Sequence, residues 1–158
     1  MSKVHVLFVC LGNICRSPLA EGIFKDRVKM LGRADEFVVD SASTSGWHDG
    51  KLPDQGSINI AKKRGLDITD QRSRKLTEND FETFDYIIGM DDSNLENIRR
   101  VRAPKNGQLL KIGQFYAAEP NKCVPDPWQQ DENAFAFVYD MIENSVDALI
   151  EHIDAEKK

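Results

Sequence analysis

The chain predicts a single α/β domain over residues 1–158: a central parallel sheet of four strands, flanked by helices on both faces. Three observations carry this. Short apolar runs, in places almost unbroken, recur at residues 3–10, 37–40, 85–90 and 109–112, as buried strands require. Between them lie longer stretches whose apolar residues follow a helical period. A length of 158 residues suits one substantial core, and no repeat, low-complexity tract or linker divides it.

Each element has its own warrant. Residues 3–10 form the first strand, since apolar side chains run through it rather than alternate. Residues 18–31 form a helix with Leu19, Ile23, Phe24, Val28 and Leu31 along one face. Ser17 is expected to cap it, and Pro18 suits the first helical position. Residues 37–40 are a short second strand. Residues 41–53, rich in Ser, Thr and Gly, are a loop. Residues 54–64 form a helix closed by Gly65. Residues 85–90 are a third strand, and 93–102 a helix capped by Asp92 or Ser93. Residues 109–112 are the fourth strand, followed by a long loop to Trp128. The last helix covers 131–153, with Phe135, Val138, Met141, Ile142, Val146, Leu149 and Ile153 on one face. Lys157-Lys158 is expected to be a frayed tail. Strands separated by helices make the sheet parallel, and such sheets bind ligands beyond the carboxyl ends of their strands. Cys10, Ser41, Asp91 and the loop after Ile112 belong to that edge.

Composition narrows the function. A formal net charge of −5 argues against general nucleic-acid binding. No apolar stretch approaches the roughly 20 residues of a membrane helix, so no membrane partner is expected. The N-terminal apolar run is too short for a secretory leader. Three cysteines, an odd number without metal-ligand spacing, favour a reducing, cytoplasmic setting. His5, His48 and His152 are scattered, so no metal is expected, and no other cofactor is called for.

The most informative segment is Cys10-Leu11-Gly12-Asn13-Ile14-Cys15-Arg16-Ser17. A buried strand ends on a cysteine, a short loop turns, and a helix begins. Backbone N–H groups of the loop and of the helix start converge on an anion. The same environment is expected to lower the pKa of Cys10 and keep it a thiolate. Arg16 supplies a planar fork that matches phosphate oxygens in pairs. An arginine so early in a helix opposes the macrodipole, a placement that makes sense beneath a dianion. Gly12 allows close backbone approach, and Asn13 tolerates a left-handed conformation. Nucleophile, anion cradle and guanidinium clamp together point to chemistry at phosphorus. In isolation Cys10 reads more readily as a core cysteine, and Asp126, between Pro125 and Pro127, equally as a turn aspartate.

The spacing Cys-x5-Arg-Ser is that of the cysteine-dependent phosphatases. Its place near the N-terminus and its wording resemble the low-molecular-weight protein tyrosine phosphatases. The resemblance continues through Asp40-Ser41-Ala42, residues 84–88, residues 90–95 and Asp126-Pro127-Trp128, and so covers nearly the whole chain. It implies the phosphotyrosine phosphatase I-like fold and a metal-independent phosphatase acting through a phosphocysteine. Its substrates would be phosphotyrosine-containing proteins and small aryl phosphates, its product inorganic phosphate. Cys10 is then the nucleophile, Arg16 the clamp and Asp126 the general acid. Pro125 and Pro127 stiffen the acid's backbone, and the apolar wall of Trp128 is expected to raise its pKa by partial desolvation.

The resemblance assigns the remaining roles. Residues Leu11, Gly12, Asn13, Ile14, Cys15 and Ser17 bind substrate, with Ser17 also donating to the thiolate. Trp47 and Trp128 wall the slot and contact the substrate ring. Asn13 and Ser41 hold the loop's shape, and Asp91 orients groups near the arginine. Ile14 stands where related arginine phosphatases commonly have Thr, and favours an aromatic leaving group. Cys15 is expected to form a reversible disulfide with Cys10, making the enzyme redox-sensitive. One departure stands out: Gln71 occupies the segment where the family usually has a supporting His. Arsenate reductases share the loop and fold but need further cysteines, and Cys15 and Cys123 do not follow that pattern. A phosphotyrosine-binding module needs neither thiolate nor acid. Arginine phosphatase is a substrate-level alternative. The oligomeric state is not written in the sequence.

Overall fold

The computed structural model describes residues 2–157. Met1 and Lys158, the second residue of the expected tail, lie outside the described residues. The chain runs β1 (Val4–Cys10), α1 (Arg16–Met30), β2 (Phe37–Ser43), α2 (Gln55–Lys63), α3 (Asp80–Thr83), β3 (Tyr86–Gly89), α4 (Asp92–Val101), β4 (Leu109–Lys111) and α5 (Glu132–Glu156). Single 3₁₀ turns precede β2 at Ala34–Glu36 and follow β4 at Ile112–Phe115. The four strands lie in the order β2-β1-β3-β4, all parallel.

Strand β1 is central, with Val6 opposite Val39 on one side and Tyr86 on the other. Its side chains alternate between two cores. Val4, Val6 and Phe8 pack with Leu19 and Phe24 of α1 and with Ile142 of α5. Leu7 and Val9 pack with Ile87, Phe81 and Ile98, on the side of α3 and α4. Both faces are therefore covered, and this is why the strand reads apolar throughout. Val6, Leu7, Phe8 and Val9 are each 0% exposed, and burying such a side chain contributes roughly 1.5–3 kcal/mol. All seven residues expected on the inner face of α5 are buried. Helix α2 is capped by Asp54, whose carboxylate accepts the Gly56 N–H at 2.8 Å. It closes as expected on Gly65, at φ +84°. The Gly65 N–H donates to Lys62 O and the Leu66 N–H to Ala61 O, so glycine takes the left-handed position after the helix.

Four expectations are corrected. Ser17 is not the cap of α1. The helix already begins at Arg16, Cys15 holds the cap position without a side-chain bond, and the Ser17 hydroxyl is turned inward. Leu31 lies past the last turn of α1 and is half-exposed. Strand β2 continues to Ser43, because Ser41, Ala42 and Ser43 pair with Phe8, Val9 and Cys10. The cap of α4 is neither Asp92 nor Ser93 but Asp91. Its Oδ1 accepts the Asn94 N–H at 2.7 Å while Asn94 Oδ1 accepts the Asp91 N–H at 3.2 Å, a reciprocal box. Helix α3 was not expected at all; four residues are too few to show a period.

Candidate active site

The carboxyl ends of β1, β2, β3 and β4 bring Cys10, Ser43, Met90 and Lys111 to one edge of the sheet. Residues 11–15 turn there between β1 and α1. Their carbonyls are bonded outward. Leu11 O accepts from Ser45 N, Gly12 O from Ser73 Oγ, Ile14 O from Asp54 N and Cys15 O from Ser57 Oγ. A peptide unit whose carbonyl points out aims its N–H inward. The amides of Gly12, Asn13, Cys15 and Arg16 thus face the centre of the loop, and α1 starts there with no side chain capping it. This is an anion cradle made of backbone.

The loop is held by Asn13, which sits at φ +56° and is 2% exposed. Its Nδ2 donates to Ser17 Oγ at 2.8 Å and to Ser41 Oγ at 2.9 Å, and its Oδ1 accepts the Arg74 N–H at 3.2 Å. Ser41 passes its own proton to Glu21 Oε1 at 2.7 Å. Burial pushes the Glu21 carboxyl above its ordinary range, against the opposing hydrogen bonds from Lys25 and Ser41. Because Asn13 donates to Ser17 Oγ, the Ser17 hydroxyl proton is free for Cys10 Sγ, 3.1 Å away. The Ser17 N–H also reaches that sulfur at 3.5 Å. Two donors therefore converge on one sulfur.

Arg16 is 2% exposed. Its Nη1 donates to Asp91 Oδ2 at 2.5 Å and to Val124 O at 3.0 Å. Asp91 thus caps α4 with one oxygen and orients Arg16 with the other. Burial disfavours the guanidinium charge, yet Cys10, Asp91 and Asp126 together hold it above the usual arginine range. The opposite edge of the fork is uncommitted: Nε is buried with no partner among the described residues, and Nη2 has only Asp126 Oδ2 at 3.9 Å. A buried, unpaired donor is costly, and an Nε/Nη2 edge fits a tetrahedral oxyanion bidentately.

Above the cradle lies a slot lined by Leu11, Gly12, Ile14, Trp47, His48, Asp126 and Trp128, with Cys10, Cys15 and Arg16 at its base. Its walls are mostly apolar. Six of the eight residues expected to contact substrate line it, Trp47 and Trp128 among them at 72% and 48% exposed, while the buried Asn13 and Ser17 do not. His48 is an addition. Its ring stands 3.0 Å from the place a Cβ on Gly12 would occupy, so a larger residue there would press the ring back by a few tenths of an ångström. Its one signal in the sequence was adjacency to Trp47.

Two expectations change. Gln71 is not in the Asn13–Ser17–Ser41 network; its Nε2 donates to the Pro18 carbonyl at 3.0 Å, so it steadies the first turn of α1 instead. Asp126 is not desolvated by Trp128, since its side chain is 41% exposed. Its Oδ1 accepts the Trp128 N–H at 3.1 Å. Cys15 is 3% exposed, and burial, with Asp54 and Cys10 adding to it, pushes its thiol well above the usual range. Among the described residues no cluster of His, Cys, Asp and Glu could hold a metal ion, and no helix is long and apolar enough to cross a membrane.

The family model for low molecular weight phosphotyrosine protein phosphatase matches residues 5–158. A relative of that name from Schizosaccharomyces pombe is 41% identical over 139 residues, covering 87% of this chain and 88% of its own. The crystal structure of a protein tyrosine phosphatase from Entamoeba histolytica, with Hepes in its active site, superposes with a TM-score of 0.92 at 33% identity. It covers 99% of this chain and 100% of that one. A Drosophila arginine phosphatase superposes with a TM-score of 0.84 at 31% identity, covering 94% of this chain and 96% of its own.

Proposed function

The chain belongs to the low molecular weight phosphotyrosine protein phosphatase family, and from that premise we propose that it hydrolyses phosphotyrosine through a phosphocysteine intermediate without a metal ion. The observation that carries this reading is the sulfur of Cys10, facing two donors from Ser17 beneath a cradle of inward amides. The free Nε/Nη2 edge of Arg16 completes that cradle.

The phosphate dianion docks against the loop amides and that edge. Cys10 thiolate attacks phosphorus in line, and the P–O bond to the tyrosine ring breaks. Its electron pair goes to the phenolic oxygen, which takes the proton of Asp126. Asp126, now a carboxylate, accepts a proton from water as that water attacks the phosphocysteine. The S–P bond breaks, Cys10 returns to thiolate, and inorganic phosphate is released. Arg16 and the amides stabilise the equatorial oxygens in both steps. The charge is thus met by fixed donors, and the mechanism asks nothing of a metal. Ser17 eases the departure of the sulfur in the second step.

The slot supports an aromatic leaving group. Ile14, Trp47 and Trp128 offer apolar surface to a ring, and a ring seated there would cover the exposed Asp126. Cys15 lines the same slot as Cys10, which supports a second role: once Cys10 is oxidised to a sulfenic acid, the Cys15 thiol condenses with it, water leaves, and a disulfide closes before further oxidation. Such a thiol chemistry suits the reducing cytoplasmic setting expected from the sequence.

The test is hydrolysis of p-nitrophenyl phosphate and a phosphotyrosine peptide in excess chelator, comparing the protein with Cys10→Ser. Turnover resistant to chelator and lost by at least about a thousandfold in the variant is expected. Chelator-sensitive turnover would overturn metal independence, and substantial activity in Cys10→Ser would overturn the nucleophile. Release of phosphate from phosphoarginine in preference to phosphotyrosine would overturn the aromatic leaving group.

A further inference from the structure

Arg16 draws its partners from two segments, the start of α4 through Asp91 and the stretch before the acid through Val124. A third segment joins these two. Lys111, the last residue of β4, is 8% exposed. Its Nζ donates to Asp92 Oδ1 at 2.8 Å and lies 3.7 Å from Cys123 Sγ. Asp92 directly follows Asp91. Cys123 directly precedes Val124, whose N–H donates to Met90 O at 2.9 Å. One buried ammonium therefore ties the helix that orients the clamp to the strand of chain that carries the acid.

Burying an ammonium is costly unless it is paired and hydrogen-bonded. Here one carboxylate supplies the charge and one sulfur a further acceptor. The hydrogen bond to Asp92 holds Lys111 above the usual lysine range, and the same bond holds Asp92 below the usual carboxylate range. The tie is thus charged throughout the neutral range. Beyond it the acid segment has few anchors. From 125 to 130 only Pro127 is buried, and Asp126 meets Arg16 only at 3.9 Å. A proton donor works only within hydrogen-bond reach of the leaving oxygen.

We propose that Lys111 is a positioning residue for Asp126, clamping Cys123 to Asp92 so that the acid stands over the leaving oxygen. This rests on Asp126 being the general acid. Lys111 touches neither phosphate nor ring. Its removal spares the cradle and acts on protonation of the leaving group.

The test is kcat/KM, which reports the steps through departure of the aryl group, across a series from p-nitrophenyl phosphate to phenyl phosphate. The proteins are wild type, Lys111→Met, Lys111→Arg, Asp92→Asn and Asp126→Asn. Lys111→Met is expected to lose about tenfold on phenyl phosphate and less than about twofold on p-nitrophenyl phosphate, the mark of a misplaced acid. Lys111→Arg, which keeps the charge, is expected to recover most of the loss. An equal loss across the series, or no loss in Lys111→Met while Asp126→Asn steepens the dependence, overturns the positioning role. A flat profile in Asp126→Asn overturns the acid itself, and the role of Lys111 with it. Should Lys111→Met not fold, Asp92→Asn decides, because it removes the same tie from an exposed side chain. It is expected to lose about threefold on phenyl phosphate and little on p-nitrophenyl phosphate, steepening the dependence in the same sense, and a slope unchanged from wild type overturns the proposal.

Discussion

Residues 10–17 and residues 122–130 meet at Arg16, yet they are built by different means. In the first stretch no residue is exposed, and Asn13, Arg16 and Ser17 are each at most 2% exposed. Its carbonyls and side chains are held from other parts of the chain, through Ser41, Arg74, Ser57 and Asp91, which leaves the inward amides and one edge of Arg16 for a ligand. In the second stretch only Val124 and Pro127 are buried. Asp126 holds a local bond to Trp128, and Gln129 sits at φ +62°. The part that must bind a dianion is fixed before the ligand arrives. The part that must reach a leaving group of variable position is anchored at one end and open at the other. Preorganised donors cost no rearrangement at the moment of reaction, whereas an acid serves many substrates better with some freedom.

The comparison breaks most severely at the residue both stretches share. Arg16→Lys keeps the charge but loses the fork, so Asp91 and Val124 can no longer be held while phosphate is met bidentately. Loss of about a thousandfold or more in kcat/KM is expected for every aryl phosphate; retention within about tenfold would show that charge alone suffices. Asn13→Ala acts within the cradle only. It removes three hydrogen bonds and places alanine at φ +56°. A loss of roughly 10- to 100-fold is expected, equal for good and poor leaving groups. A loss that grows with leaving-group pKa would instead show that the cradle and acid are not separable.

The smallest effect concerns Glu21, the far end of the Asn13–Ser41 chain. Burial raises its carboxyl above the ordinary 4.5 in the folded protein. The protonated form is therefore favoured by folding. That contribution is complete below the unfolded value and is lost as pH rises through the folded one. Glu21→Gln removes the titration while keeping an acceptor for Ser41. Between pH 4 and pH 7 the unfolding free energy of the variant, relative to wild type, is expected to shift in its favour. Denaturant midpoints at the two pH values check this, and a pH-independent difference would sink it.

The contiguous part of the site was legible because its chemistry is local. A strand ending on Cys10, a glycine, an arginine and a helix start lie within eight residues, so spacing alone assembles the cradle. Strand β1 and helix α5 were equally plain, since their apolar residues match what each element buries. What escaped depends on partners distant in sequence. Ser17 looks like a cap by type, but Asn13 and Cys10 turn it inward. Asp91 is placed near the arginine by resemblance alone, and only the fold shows its two oxygens divided between Asn94 and Arg16. Gln71 seemed aligned with loop support, yet it reaches Pro18. Lys111 and Cys123 carry no signal at all until β4 and the acid segment are side by side.

The central place of β1 has one more consequence. Its backbone is paired on both sides, with β2 and with β3, and its side chains are covered on both faces. Such amides exchange with solvent only when the whole domain opens, while those of an exposed loop exchange by local fraying. Cys10, the proposed nucleophile, therefore belongs to the last unit of the molecule to come apart, and Asp126, the proposed acid, to one of the first. Hydrogen exchange would divide this single reaction centre into a slow half and a fast half, meeting at one guanidinium.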